Sequence, residues 1–78
     1  MKLGNQLKKL RKKHNMFQED LSKRLNVSRQ AVYKWESNKG YPDIENLIEL
    51  SDIFNVTIDE IIRSDDKLRE KISVGDNE

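Results

Sequence analysis

Apolar residues along this chain recur three and four places apart and never alternate with polar ones, a pattern that predicts helices and no strands. The fold class is therefore all-α, with five short helices. The first runs from about Lys2 to Lys13, stacking Leu3, Leu7 and Leu10 on one side while Lys8, Lys9, Arg11, Lys12 and Lys13 fall mostly on the outer side. The second spans about Gln18 to Leu25, with Glu19 and Asp20 at the positive end of its dipole and Asn26 as a left-handed C-terminal cap. Ser28 caps the third, which continues to about Ser37 before the turn-rich SNKGYP. Asp43 caps the fourth, which reaches Phe54, and Thr57 with Glu60 forms a capping box for the fifth, whose apolar face is Ile58, Ile61 and Ile62.

The third helix carries the stretch SRQAVYKWE. On a wheel of ~100° per residue, Ala31, Val32 and Trp35 fall on one side, which is core, and Arg29, Gln30, Tyr33 and Lys34 fall on the other. Polar outer faces are routine on helices, so the wheel alone decides little. Its setting is more specific. Counting from Gln18, apolar residues occupy the fourth, eighth, tenth, fifteenth and eighteenth places (Leu21, Leu25, Val27, Val32, Trp35), with small Ser22 fifth and Asn26 ninth. A small residue lets two helix axes approach, a residue tolerant of positive φ turns the chain sharply, and the five apolar positions weld the pair.

With these positions in place, the segment LKKLRKKHNMFQEDLSKRLNVSRQAVYKWESNKGYPDIENLIELSDIFNV resembles the phage-repressor-like helix-turn-helix family, the Cro and repressor type also called the xenobiotic response element family. The likeness covers about residues 2–63, and its most specific part is VSRQAVYKWE followed by PDIENLIELSDIFNV. It implies a lambda-repressor-like domain of five helices whose third enters the DNA major groove, with Arg29, Gln30, Tyr33 and Lys34 as base readers. The chemistry agrees, because Arg and Lys donate to guanine O6 and N7, and Gln pairs bidentately with adenine. Gln18 resembles the family residue that fixes the second helix against the sugar-phosphate backbone, and Ser28, Asn38 and Lys39 are further phosphate candidates. The resemblance also implies an ion pair between Arg11 and Glu36, structural rather than DNA-reading. One position departs from the family pattern: Phe17 stands where a Ser or Thr usually precedes the glutamine. The missing N-cap hydroxyl costs typically ~1 kcal/mol, and Phe17 is expected to pack as a hydrophobic staple, with partner-subunit or DNA contact as the alternatives.

Charge changes the picture in one respect. The net charge of +1 conceals eleven Lys and Arg against three Asp and Glu in residues 1–39, and four against eleven in residues 40–78. A fold holding those halves apart would present a basic face to a polyanion, although an unevenly charged solvated surface explains the division equally well. The chain has no Cys and one His, His14, expected at the rim between two helices, so no thiolate metal site, disulfide or nucleophilic cluster is available. Neither an enzyme nor a cofactor or metal site is expected.

At 78 residues the chain makes one small domain burying roughly 60% of its unfolded surface. The DNA-binding domain is expected to occupy residues 1–63, followed by an acidic, weakly helical to disordered tail over 64–78. No apolar run approaches the ~20 residues of a membrane span, and MKLGNQLKKL lacks a signal-peptide core, so a cytoplasmic location without membrane contact is the default expectation. The resemblance implies a homodimer on double-stranded DNA with a roughly palindromic operator, acting as a repressor. Ile48 and Ile53, flanking the core side of the fourth helix, either cover neighbouring helices or form a subunit contact. A protein-interaction module such as an antitoxin, and the DNA-binding head of a longer sensor, are the alternative functions.

Overall fold

The computed structural model describes residues 2–63 and 65. The chain forms α1 (Leu3–Lys13), α2 (Gln18–Leu25), α3 (Arg29–Glu36), α4 (Ile44–Phe54) and α5 (Ile58–Ile62), with no strand among the described residues. Helix starts follow the local chemistry. Side-chain oxygens of Ser28, Asp43 and Thr57 accept from Ala31, Asn46 and Glu60 N–H at 3.1, 2.9 and 3.0 Å. Glu60 returns a bond to Thr57 N–H at 2.8 Å, completing the capping box.

The ends of α1 to α4 share one device. Asn15, Asn26, Asn38 and Asn55 have φ of 57°, 58°, 62° and 56°, the left-handed region that asparagine tolerates better than most residues. Beyond each, the next amide reaches back five residues: Met16 to Arg11 O, Val27 to Ser22 O, Lys39 to Lys34 O and Val56 to Ser51 O, at 2.9–3.1 Å. This is the six-to-one bond of a Schellman motif. Met16, Val27 and Val56 then pack against the core, as apolar residues after such a turn do.

The core draws on every helix: Leu3, Leu7 and Leu10 of α1, Leu21 and Leu25 of α2, Val32 and Trp35 of α3, Leu47, Leu50 and Phe54 of α4, and Ile61 and Ile62 of α5 are all buried. Helix α3 packs on α2 and α1, while α5 closes against α4 and α1. Gly4 allows the α1–α3 approach, since a Cβ there would lie 2.4 Å from Trp35 O and 2.9 Å from Glu36 O. His14 tilts against Phe54 with ring centroids 5.2 Å apart, at the α1–α4 rim as expected.

Arg11 is the basic residue of α1 that turns inward. Arg11 and Glu36 are 8% and 2% exposed, and the guanidinium donates through Nε and Nη2 to both Glu36 oxygens at 2.6 and 3.0 Å. Its Nη1 donates to Met16 O at 2.7 Å. Hydrogen bonding to Glu36 raises the Arg11 pKa above its usual value, outweighing the burial that lowers it, so the guanidinium keeps its charge at all physiological pH. The implied ion pair is present, and it is buried.

One expectation needs correction, and two further sites add detail to the sequence reading. Phe17 does not pack: it is 78% exposed, and the staple position before the N-cap belongs to Met16, which lies on the core cluster containing Leu21. Ile53 packs, but Ile48 on the same helix is 46% exposed and Ile44 54%, so the α4 flank is only half covered. Finally, Asp65 falls within the segment expected to form the tail, yet it is 5% exposed and its Oδ2 accepts from Leu3 N–H at 2.8 Å, while Oδ1 accepts from Tyr41 Oη at 3.4 Å. An orphan amide at the start of α1 attracts a carboxylate strongly enough to dock that residue. The weak helical turns expected around Leu68 and Ile72 lie outside the described residues.

Two stability outcomes follow from these contacts. Glu36→Ala strands a buried guanidinium and should destabilise the domain by about 3–5 kcal/mol, lowering the melting midpoint by more than about 12 °C; a midpoint within error of wild type would contradict a buried pair. Asp65→Ala leaves the Leu3 amide without its acceptor and should cost about 1–3 kcal/mol. Thermal melts and exchange protection of the Leu3 amide measure it, and unchanged protection would show that Asp65 is dispensable.

Candidate nucleic-acid interface

Helix α3 is held from behind, which leaves its front available. Val32, Trp35 and Glu36 face inward and Ala31 is half-buried, so the ~100° step between residues turns Arg29, Gln30, Tyr33 and Lys34 to solvent together. All four are exposed, Tyr33 by 49%. Arg29, Gln30 and Tyr33 line one open depression on this face. Between them they offer a guanidinium fork, an amide carrying both donor and acceptor, and a phenol, the groups that pair with guanine, adenine and phosphate.

Lys39 joins this face from the turn after α3. It occupies the place that apolar Met16, Val27 and Val56 take after the other three left-handed turns, but it is exposed, with Nζ 5.8 Å from the Tyr33 ring centroid. A charged residue where the turn motif favours an apolar one serves the surface rather than the core. Its contact with the ring is a cation–π arrangement that steadies both side chains beside the depression.

The remaining phosphate candidates are positioned differently. Ser28 Oγ accepts from Ala31 N–H, and its hydroxyl proton stays available to an outside acceptor. Gln18 is half-buried and donates from Nε2 to Glu36 Oε1 at 3.0 Å, so its amide ties the start of α2 to the end of α3. Asn38 is exposed, but its Oδ1 accepts from Gly4 N–H at 3.1 Å and its Nδ2 donates to Asn5 Oδ1 at 3.5 Å, so its side chain joins the end of α3 to α1. The family resemblance implied a phosphate contact for Gln18, and Asn38 was a further candidate; the structural partners of these two lie 18 and 34 residues away.

Phe17 is the surface residue that sequence reasoning misplaced. It has no side-chain oxygen for the Asp20 amide, although Asp20 Oδ2 accepts from Phe17 N–H at 2.8 Å. Phe17 lines a second depression with Arg11, Gln18, Glu19 and Arg29, so Arg29 borders both hollows. A third depression, between the α2–α3 turn and α4, is bordered by Asn26, Val27, Glu45, Ile48 and Glu49. Its two carboxylates and absence of a cation make it unsuited to a polyanion.

Two helices crossing through a left-handed asparagine, with the second presenting long hydrogen-bonding side chains outward, define a repressor-type DNA-binding domain of the class that regulates transcription. A family model described as helix-turn-helix matches residues 7–61, and the chain belongs to that family. It is 46% identical over 66 residues to the HTH-type transcriptional activator BcrR of Enterococcus faecalis, covering 85% of this chain and 32% of that protein. An uncharacterized HTH-type transcriptional regulator of Methanocaldococcus jannaschii is 39% identical over 64 residues, covering 82% of this chain and 97% of that one. The cryptic phage CTXphi transcriptional repressor RstR of Vibrio cholerae is 33% identical over 61 residues, 78% of this chain and 54% of that protein. Among solved structures, the DNA-binding domain of the P22 C2 repressor in solution is similar with a TM-score of 0.76 at 31% identity, over 83% of this chain and 86% of that domain. The chain thus spans about a third of BcrR and about half of RstR.

Proposed function

We propose that this chain is a sequence-specific, double-stranded DNA-binding transcriptional regulator that reads the major groove with α3. The observation that carries the reading is the joint exposure of Arg29, Gln30 and Lys34 on one face of a helix whose opposite face is clamped by the Arg11–Glu36 pair. Arg29 and Lys34 suit guanine, Gln30 suits adenine, and Tyr33 supports either a thymine methyl or a phosphate. Lys39 and the Ser28 hydroxyl contact phosphate, with smaller contributions from Gln18 and Asn38, whose side chains are already engaged within the domain.

The reading is assigned to residues 1–63, with Asp65 of the acidic 64–78 segment closing the fold against α1. Two copies bind a roughly palindromic operator, their α3 helices ~34 Å apart and their half-sites one turn of duplex apart. Repression is the sign we favour, since the P22 C2 protein and RstR are named repressors, although BcrR is named an activator. A cytoplasmic site of action accords with access to DNA.

Arg29→Ala should cost about 1–3 kcal/mol at one base pair and relax discrimination there, whereas Lys39→Ala should weaken all duplexes alike and reduce the salt slope by about one. Competition binding on single-base variants of a selected duplex separates the two, and unaltered affinity for both substitutions would remove DNA reading in favour of a protein-interaction role. Sedimentation of the complex is expected to give two chains per duplex; one chain at saturating protein would eliminate the homodimer.

A further inference from the structure

We propose that Phe17 reads a thymine methyl group at the edge of the half-site contacted by α3, an inference that rests on the DNA-binding assignment above. The ring is 78% exposed, well above Tyr33 at 49%, Ile44 at 54% and Ile48 at 46%. It is also continuous with the reading face. Phe17 and Arg29 line one depression, and Arg29 with Gln30 and Tyr33 lines the next, so a single guanidinium separates the ring from the base-reading side chains. A surface that receives a duplex over the second hollow brings it against the first.

The residue is expensive where it stands. Side-chain oxygens serve first-turn amides at each of the other helices, from Asp65 and Asn38 at α1 and from Ser28, Asp43 and Thr57 at α3, α4 and α5. Phe17 supplies none to α2 and exposes an apolar ring as well. Two local losses at one residue beside a binding face are the pattern expected where function overrides folding.

The chemistry of the ring itself selects what it meets. Glu19 and the exposed Arg29 guanidinium both border the same depression, so charge there is mixed and the apolar ring decides. A phenyl ring has no hydrogen bond to offer a base edge, and the apolar feature that distinguishes bases in the major groove is the C5-methyl of thymine. The deoxyribose face is apolar too, but every nucleotide carries it. Phe17 therefore adds a thymine preference outside the base pair read by Arg29.

The test uses the whole 78-residue chain and a duplex that it selects from a random library. Each thymine is replaced singly by deoxyuridine, which removes the methyl and nothing else. Wild type should lose about fourfold in affinity at one thymine, the equivalent of one methyl group's burial. Phe17→Ser should bind the thymine and deoxyuridine duplexes equally there while keeping its other preferences, and Phe17→Leu should retain part of the difference. Because the ring is exposed and serine restores a cap, Phe17→Ser should melt no lower than wild type, so lost discrimination is not lost folding. Equal weakening of every duplex by Phe17→Ser would overturn the proposal in favour of deoxyribose packing. No effect of Phe17→Ser on any duplex, with Arg29→Ala still losing its base pair, would overturn it in favour of a protein contact. If Arg29→Ala is silent as well, the DNA-reading assignment itself fails.

Discussion

The architecture turns on one buried carboxylate. Glu36 receives Arg11 from α1 through two bonds and Gln18 from α2 through a third, so three helices meet on two oxygen atoms. A charge so deeply placed is tolerable only if its lone pairs are occupied, and each bond fixes a direction as well as a distance. The end of α3 thereby acquires a set rotation about its own axis. Gly4 is the steric counterpart, admitting α1 close enough for Arg11 to reach. Because the back of α3 is held so tightly, its front residues are aimed without help from any ligand, which is the condition for reading a rigid groove.

Helix identity and helix ends were legible because their causes are local. Ser28, Asp43, Thr57 and Asn26 act within a turn of their own position, and each does what its residue type and neighbours imply. The outward set of α3 was legible for a similar reason: with Val32 and Trp35 committed to the core, angular periodicity leaves Arg29, Gln30, Tyr33 and Lys34 one direction to face. The Arg11–Glu36 pair came from family likeness, since nothing within either helix distinguishes Arg11 from its basic neighbours.

What escaped the sequence involves choices made at long range. Asp65 is one of two adjacent aspartates, a residue type that does not suggest burial; the unserved amide of Leu3, 62 residues earlier, gives it a place. Asn38 reads as a turn residue and a phosphate donor, yet it also serves Gly4. Phe17 fails in the opposite sense. Hydrophobicity argues for burial, but the N-cap site of α2 points away from the core, and Met16, one residue earlier, already fills the inward position. Composition cannot say which of two adjacent apolar residues wins.

The four left-handed asparagines have a kinetic side. With a stop signal at the C-terminal end of each of the first four helices, none of those four ends waits on a distant contact, and neighbouring helices can dock as soon as they form. Chains dominated by such near-neighbour encounters have low contact order and fold in about microseconds to milliseconds. The tie between Asp65 and Leu3 carries the largest loop-closure entropy of the hydrogen bonds described, which makes it the natural last event, a latch thrown after the helices have assembled.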